Sequence, residues 1–153
     1  YKVFKELYEN NVSTLSILFK GASSLSNDDI KLSERLYIPG KRLRGFETGK
    51  IGPKDGNDFI GGNYVSSINA TTTIPTLLEN VQSVDVVLFA DAANIWGVDY
   101  DSSLDKNGIR SSVGIGIDWL TPVGPLTFSF AHPVTKEPTD IEQTFRFNIG
   151  TSF

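Results

Sequence analysis

Ile109-Arg110-Ser111-Ser112-Val113-Gly114-Ile115-Gly116-Ile117-Asp118-Trp119-Leu120-Thr121, followed at once by Pro122-Val123-Gly124-Pro125, is the stretch whose reading decides the fold. Val113, Ile115, Ile117 and Trp119 alternate with Ser112, Gly114, Gly116 and Asp118. Successive side chains of a β-strand point to opposite faces, so this segment has one aromatic-aliphatic face and one small or polar face. The Pro- and Gly-bearing tetrapeptide then turns the chain sharply. Leu126, Phe128 and Phe130 resume the same alternation. At the end of the chain Phe145, Phe147, Ile149, Thr151 and Phe153 oppose Arg146, Asn148, Gly150 and Ser152. A small, polar off-face is the inside-out pattern of a transmembrane barrel with a wet lumen.

Working outward, seven strands are expected, at residues 1–8, 12–24, 62–76, 81–94, 109–121, 126–133 and 141–153. Helical periodicity is almost absent. Connections alternate between short and long. Short turns fall at Glu9-Asn10-Asn11, at Leu78-Glu79-Asn80 and after Thr121, whereas residues 25–61 and 95–108 make long links. Short periplasmic turns facing long outer loops are characteristic of membrane barrels. Tyr64, Trp96, Trp119 and Phe153 lie near strand ends, where an interfacial aromatic girdle would sit. Alternation alone also fits a soluble β-sandwich, which would bury the same apolar set between two sheets.

Composition removes several function classes. The 153 residues contain no Cys and carry a net charge of -4. Disulfides and thiol-ligated metals are therefore excluded, and no basic field for nucleic acid exists. No apolar run reaches the roughly 20 residues of a membrane helix, but a barrel strand needs only about 9–11 with alternate residues apolar. Asp99, Asp101 and Asp105 have some calcium-loop flavour, yet the Gly and Glu of an EF-hand are misplaced. His132 is the single histidine, so a histidine metal cluster is impossible. No phosphate-binding loop, cofactor motif or nucleophile–histidine context is found, and no enzyme is expected. The chain contains no Met, and Tyr1 already lies in a strand-like run, which reads as an internal segment of a longer protein. Seven strands do not close a bacterial barrel, where counts are even and start at eight. The isolated segment is thus expected to expose two edges and an apolar face. It should self-associate through them or curl its long loop over one face.

A set of collinear blocks adds a family. Arg35-Leu36-Tyr37-Ile38-Pro39-Gly40-Lys41-Arg42-Leu43-Arg44-Gly45-Phe46-Glu47 is followed by Ile51-Gly52-Pro53 and Gly61-Gly62-Asn63. Phe89-Ala90-Asp91 runs to Trp96, Trp119-Leu120-Thr121-Pro122-Val123-Gly124-Pro125 follows, and the chain ends Phe145-Arg146-Phe147-Asn148-Ile149-Gly150-Thr151-Ser152-Phe153. Together these resemble outer-membrane assembly barrels of the BamA type, in the bacterial surface antigen superfamily. The resemblance implies an all-β, antiparallel up-and-down meander that supplies the last seven strands of a sixteen-stranded barrel. Residues 25–61 would be its sixth outer loop, and periplasmic repeat domains, absent from this chain, would precede the barrel. It implies insertion of barrel proteins into the bacterial outer membrane. Its partners would be outer-membrane lipid, unfolded barrel clients and accessory lipoproteins of the assembly complex. A passive pore or two-partner-type secretion channel on a related barrel is the alternative, because the Arg-Gly-Phe loop occurs there too.

The resemblance also assigns residues. Arg44 would sit on a loop folded back into the barrel and pair with an acid on the wall, here Asp91. A guanidinium fork meets a carboxylate bidentately and keeps its charge. Gly45 would allow the tight turn and Phe46 would anchor the loop tip. The family often adds a Glu on the third of these strands, where this sequence has Thr71, so one partner of the network is missing. Phe145, Phe147, Ile149, Gly150 and Phe153 would form a terminal strand that closes the barrel at a weak seam and carries the aromatic assembly signal. Gly150, without a side chain, would weaken and bend that strand, or merely make room in the lumen.

Overall fold

A computed structural model describes residues 1–5, 11–24, 29–74, 83–105 and 107–150. Its strands, in chain order, are β1 (Lys2–Lys5), β2 (Ser13–Gly21), β3 (Gly45–Phe46), β4 (Lys54–Asp55), β5 (Asp58–Phe59), β6 (Tyr64–Thr73), β7 (Val84–Trp96), β8 (Arg110–Thr121), β9 (Gly124–Thr135), β10 (Glu142–Gln143) and β11 (Phe145–Ile149). Seven of them form one antiparallel sheet in the order β1-β2-β6-β7-β8-β9-β11, the expected up-and-down meander. The other four make two short pairs, β3 with β10 and β4 with β5.

Register sorts the side chains as alternation requires. On one face Leu88 lies opposite Ile115, Ile115 opposite Phe130, and Phe130 opposite Phe145. The next row carries Val86, Ile117, Phe128 and Phe147. The ring pairs Phe130–Phe145 and Phe128–Phe147 each stand 4.9 Å apart, and Leu88, Ile115, Ile117, Phe130, Phe145 and Phe147 are exposed. No second sheet covers this face among the described residues, so the β-sandwich fails. At one end of the same face Phe19, Tyr64 and Trp96 cluster, with Tyr64 and Trp96 opposite one another at 5.8 Å. Trp119 lies at the other end, beside the two-residue turn. Thirteen residues of β7 span about 43 Å, or about 30 Å along the normal at a typical tilt, which matches a bilayer core.

The opposite face mixes small and polar groups with an apolar patch on β6 and β7, and the long loop lies against it. Ile38, Leu43, Phe46 and Ile51 from the loop pack on Val65, Ala93 and Ile95 of β6 and β7. This is the chain's apolar core, and it sits between loop and sheet. Two glycines of β8 make room on this face. A Cβ on Gly114 would strike the Phe89 ring and the Phe130 carbonyl, and one on Gly116 would crowd the Val87 side chain.

Several expected boundaries change, most of all near the end of the chain. β9 begins at Gly124, directly after Pro122-Val123, not at residue 126. It also passes through Pro133 to Thr135, because Pro133 sits at a bulge where the register skips Val134. Proline is tolerated at such an irregularity, where a ladder hydrogen bond is already missing. The expected terminal strand at 141–153 is divided at Thr144 between β10, which pairs with the loop, and β11, which pairs with β9. The turns expected at Glu9-Asn10 and Leu78-Glu79-Asn80, and the terminal Thr151, Ser152 and Phe153, lie outside the described residues.

Candidate functional site

Asp91 is in the middle of β7, on the inward parity, with a fully buried carboxylate. Its neighbour across β6 is Asn69, whose Nδ2 donates to Asp91 Oδ1 at 2.9 Å. The loop delivers Arg44 to the same carboxylate. Arg44 Nε donates to Oδ2 and Nη2 to Oδ1, both at 2.7 Å, and the Arg44 backbone N–H adds a third bond at 3.1 Å. The guanidinium also lies over the Phe89 ring, 3.4 Å from its centroid. Thus the Arg44 charge is matched by carboxylate and ring, and the Asp91 charge by guanidinium, backbone N–H and the Asn69 amide, the saturation that a buried ion pair needs. Thr71 faces Phe89 instead, so the β6 member of this network is Asn69, a residue the sequence reading missed. Asn69 also accepts from Arg42 Nη1 at 3.2 Å and donates to the Arg42 carbonyl at 2.8 Å.

Local backbone explains how the loop tip arrives. Gly45 has φ +90, a region that side-chain-bearing residues avoid. Its open side faces Ala131 and Ser112, where a Cβ would stand 3.2 and 3.3 Å from their Cβ atoms. Phe46 is buried in the loop core and pairs with Glu142 across the β3–β10 ladder. The loop and the segment leading to the terminal strand exchange further bonds. Glu47 N–H donates to the Ile141 carbonyl at 2.8 Å, and Ile141 N–H to the Lys50 carbonyl at 3.0 Å.

More arginines fix these pieces. Arg110 on β8 and Asp140 form an ion pair at 2.9 Å with both side chains wholly buried. Asp140 also accepts from the Gly52 and Glu137 backbone N–H groups. Arg146, on the inward parity of β11, donates to the carbonyls of Gly40 and Phe46 and to Gln143 Oε1. Arg35 bonds Asp99 and stacks on Tyr100. The three loop aspartates hold backbone. Asp99 accepts from Ile30 N–H, Asp101 caps the short helix at Ser102–Leu104, and Asp105 accepts from Gly97 N–H. Partial burial raises the Asp99 carboxyl, but the Ile30 N–H, the Asn63 side chain and Arg35 outweigh it and hold the group below its ordinary 3.8.

A loop latched against one face of a sheet whose other face is bare apolar surface suits a segment of a membrane barrel, with the loop on its lumen side. The profile of the Omp85 superfamily domain matches residues 1–153. The chain belongs to the Omp85 superfamily. Among curated Omp85 relatives, the outer membrane protein assembly factor BamA of Neisseria meningitidis is 32% identical over 82% of this chain and 19% of its own length. The BamA of Nitratidesulfovibrio vulgaris is 30% identical over 100% of this chain and 20% of its own. A SAM50-like protein of Schizosaccharomyces pombe is 28% identical over 92% of this chain and 31% of its own. The chain spans about a fifth of the length of the BamA relatives it matches. The crystal structure of Haemophilus ducreyi BamA lacking POTRA domains 1-3 superposes with a TM-score of 0.73, at 24% identity, over 90% of this chain and 34% of that one. The fold is therefore that of a BamA barrel, and the place of such Omp85 chains is the bacterial outer membrane.

In this Omp85 chain the terminal strand is one of two briefly paired edges of the sheet, the other being β1, which meets β2 over four residues. β11 pairs with β9 over five residues, from Phe145↔Phe130 to Ile149↔Leu126, while β8 and β9 match over eleven. Phe145, Phe147 and Ile149 point outward, and Arg146 and Asn148 inward. Gly150 follows with φ +92, and among the described residues nothing lies within 4 Å of where its Cβ would be. It takes a backbone conformation that ends the strand, and its N–H bonds the Pro125 carbonyl at 2.8 Å. Phe153 lies outside the described residues.

Proposed function

We propose that the chain is the seam-bearing part of a barrel that assembles and inserts other β-barrel proteins into the outer membrane. The observation that carries this is β11: five paired residues, a strand end at Gly150, and a second edge unpaired among the described residues. A short terminal strand with free N–H and C=O groups is a template for an incoming strand, and pairing there is β-augmentation. No bond chemistry is required, because the catalyst lowers the cost of ordering a client edge before its own sheet closes. Partners follow from the surfaces. Lipid faces the Ile115–Phe130–Phe145 row, and unfolded barrel clients meet the β11 edge. Accessory lipoproteins belong with the periplasmic part of a longer chain. Where lipid and the remaining strands are missing, further copies of the chain would cover the same edges and apolar face. Arg44 and the loop core occupy the lumen side of β6 and β7, an arrangement that a passive channel carrying the same loop would share.

The test uses full-length protein. The described chain has no Cys, so an engineered pair is free of background from this region. A cysteine on β11 is joined to one on the first barrel strand, and insertion of a model client into vesicles is followed with and without reductant. Insertion should stop in the oxidised protein and return on reduction. Undiminished insertion by the locked barrel would remove the seam from the mechanism, and no insertion in either redox state would favour the passive-channel reading.

A further inference from the structure

Arg146 is an oddity on its strand. Its inward neighbours on the sheet are Ser129 and Asn148, yet its guanidinium does not bond the wall. It reaches into the loop and donates to the Gly40 carbonyl, to the Phe46 carbonyl at 2.6 Å and to Gln143 Oε1 at 2.9 Å. Those carbonyls flank the segment that carries Arg44. The approach needs Gly40, because a Cβ there would collide with the Arg146 fork and with Thr48. The β3–β10 pair and the bonds linking Glu47, Ile141 and Lys50 continue the same attachment. The loop is thus fastened to the wall at Asp91, Asn69 and Ser16, to Asp140 through Gly52, and to the root of the terminal strand at Arg146 and β10.

We propose that Arg146 is a positioning residue that makes the seating of the infolded loop and the position of the terminal strand one event. While Arg44 is held by Asp91, the loop carbonyls are in place, and Arg146 holds the β10–β11 root against them. The strand then yields only beyond Arg146. When the loop lifts, the same carbonyls leave the fork, and the root of β11 loses support that its five pairs with β9 do not replace. A planar fork suits the task, since it spans acceptors from three backbone and side-chain positions, which a point charge cannot. By linkage the coupling runs both ways: a perturbed root must loosen the loop by as much as a perturbed loop loosens the root. The consequence for client insertion rests on the seam reading above, but the coupling itself does not.

Hydrogen–deuterium exchange of the full-length protein in lipid nanodiscs tests it. Arg44→Ala alters a residue that bonds β7 and makes no hydrogen bond to the terminal strand among the described residues. It should nevertheless speed exchange at Ile141 and through β11, by roughly ten- to a hundredfold, the scale of one charge-assisted hydrogen bond. Arg146→Gln should speed exchange at the Arg42 and Glu47 amides by a similar factor and leave the β7–β8 centre unchanged. Gly40→Ala keeps every charge and should reproduce the Arg146→Gln pattern by displacing the fork, and it stands in if Arg146→Gln does not fold. Arg146→Lys should fall between. Exchange changes confined to the mutated element, with the distant one at wild-type rate, would overturn the coupling. Client insertion is measured on the same samples. Insertion that persists while the coupling is broken would count against the seam reading and leave the coupling standing.

Discussion

Two faces of the same strand carry opposite chemistry. On β8, Arg110 and Ser112 are 0% and 1% exposed, while Val113 and Ile115, on the other face, are 47% and 41% exposed. A water-soluble sheet reverses this, with aliphatics covered and arginine in solvent. The inward face is held by specific polar geometry and the outward face only by the medium it meets. The two faces therefore fail differently. An inward substitution breaks a defined set of bonds wherever the protein is placed. An outward substitution matters only when hydrocarbon surrounds it.

The largest expected effect is on the inward face. Asp91→Ala strips the carboxylate from Arg44 and removes the acceptor of Asn69 Nδ2 and of the Arg44 backbone N–H. Removing one partner of a buried pair costs about 3–5 kcal/mol. Chemical unfolding of the full-length barrel should lose that much, with protease sites in the loop becoming accessible. A loss under about 1 kcal/mol, the worth of an exposed pair, would place the network in water and undo the contrast between faces.

On the outward face Ile115→Arg should cost about 2–4 kcal/mol in a bilayer, the range for a cation near the midplane. Asp118→Arg, three residues on and facing inward, should stay within about 0.5 kcal/mol. Folding yield and unfolding free energy in vesicles measure both. Equal penalties for the two would mean that the parity does not divide lipid from lumen.

The division between faces was legible because it is a property of single residues at period two. Alternation in β8, β9 and the terminal segment decides which side each residue takes, whatever its partners. Pairings over long separations were legible only through motif resemblance, as with Arg44 and Asp91. Arg110–Asp140 and Arg146–Phe46, separated by 30 and 100 residues, carried no motif. A weaker signal was present: arginine on the inward parity of an otherwise regular strand requires an acceptor in the lumen. Asn69 was missed because register, not sequence, decides which β6 residue meets Asp91. The split at Thr144 was invisible for a related reason. Glu142 and Gln143 continue the alternation, but the loop reaches their backbone first. The loop core of Ile38, Leu43 and Ile51 has no period at all, since an irregular chain packs by shape.

The smallest expected effect separates the outer end of the inward face from its middle. Asp99 lies beyond β7, where its carboxylate takes the Ile30 N–H at 2.7 Å and pairs with Arg35. Its carboxyl is held below 3.8 in the folded chain. The unfolded state therefore binds the proton more readily, and the stabilisation is fully present above pH 3.8 and lost as pH falls through the lower folded value. Asp101 titrates below 3.8 as well, held down by the Ser103 hydroxyl and backbone N–H, so a bare acid titration would mix the two. Exchange of the Ile30 amide in wild type and in Asp99→Asn isolates the first. Above pH 3.8 the wild type should be the better protected, and the gap should close on acidification. The Arg42 amide, beside the Asp91 network, serves as the internal reference. A gap that persists unchanged far below pH 3.8 would mean that Ile30 is protected by packing alone. The outer end would then be held as the loop core is, by shape and not by charge.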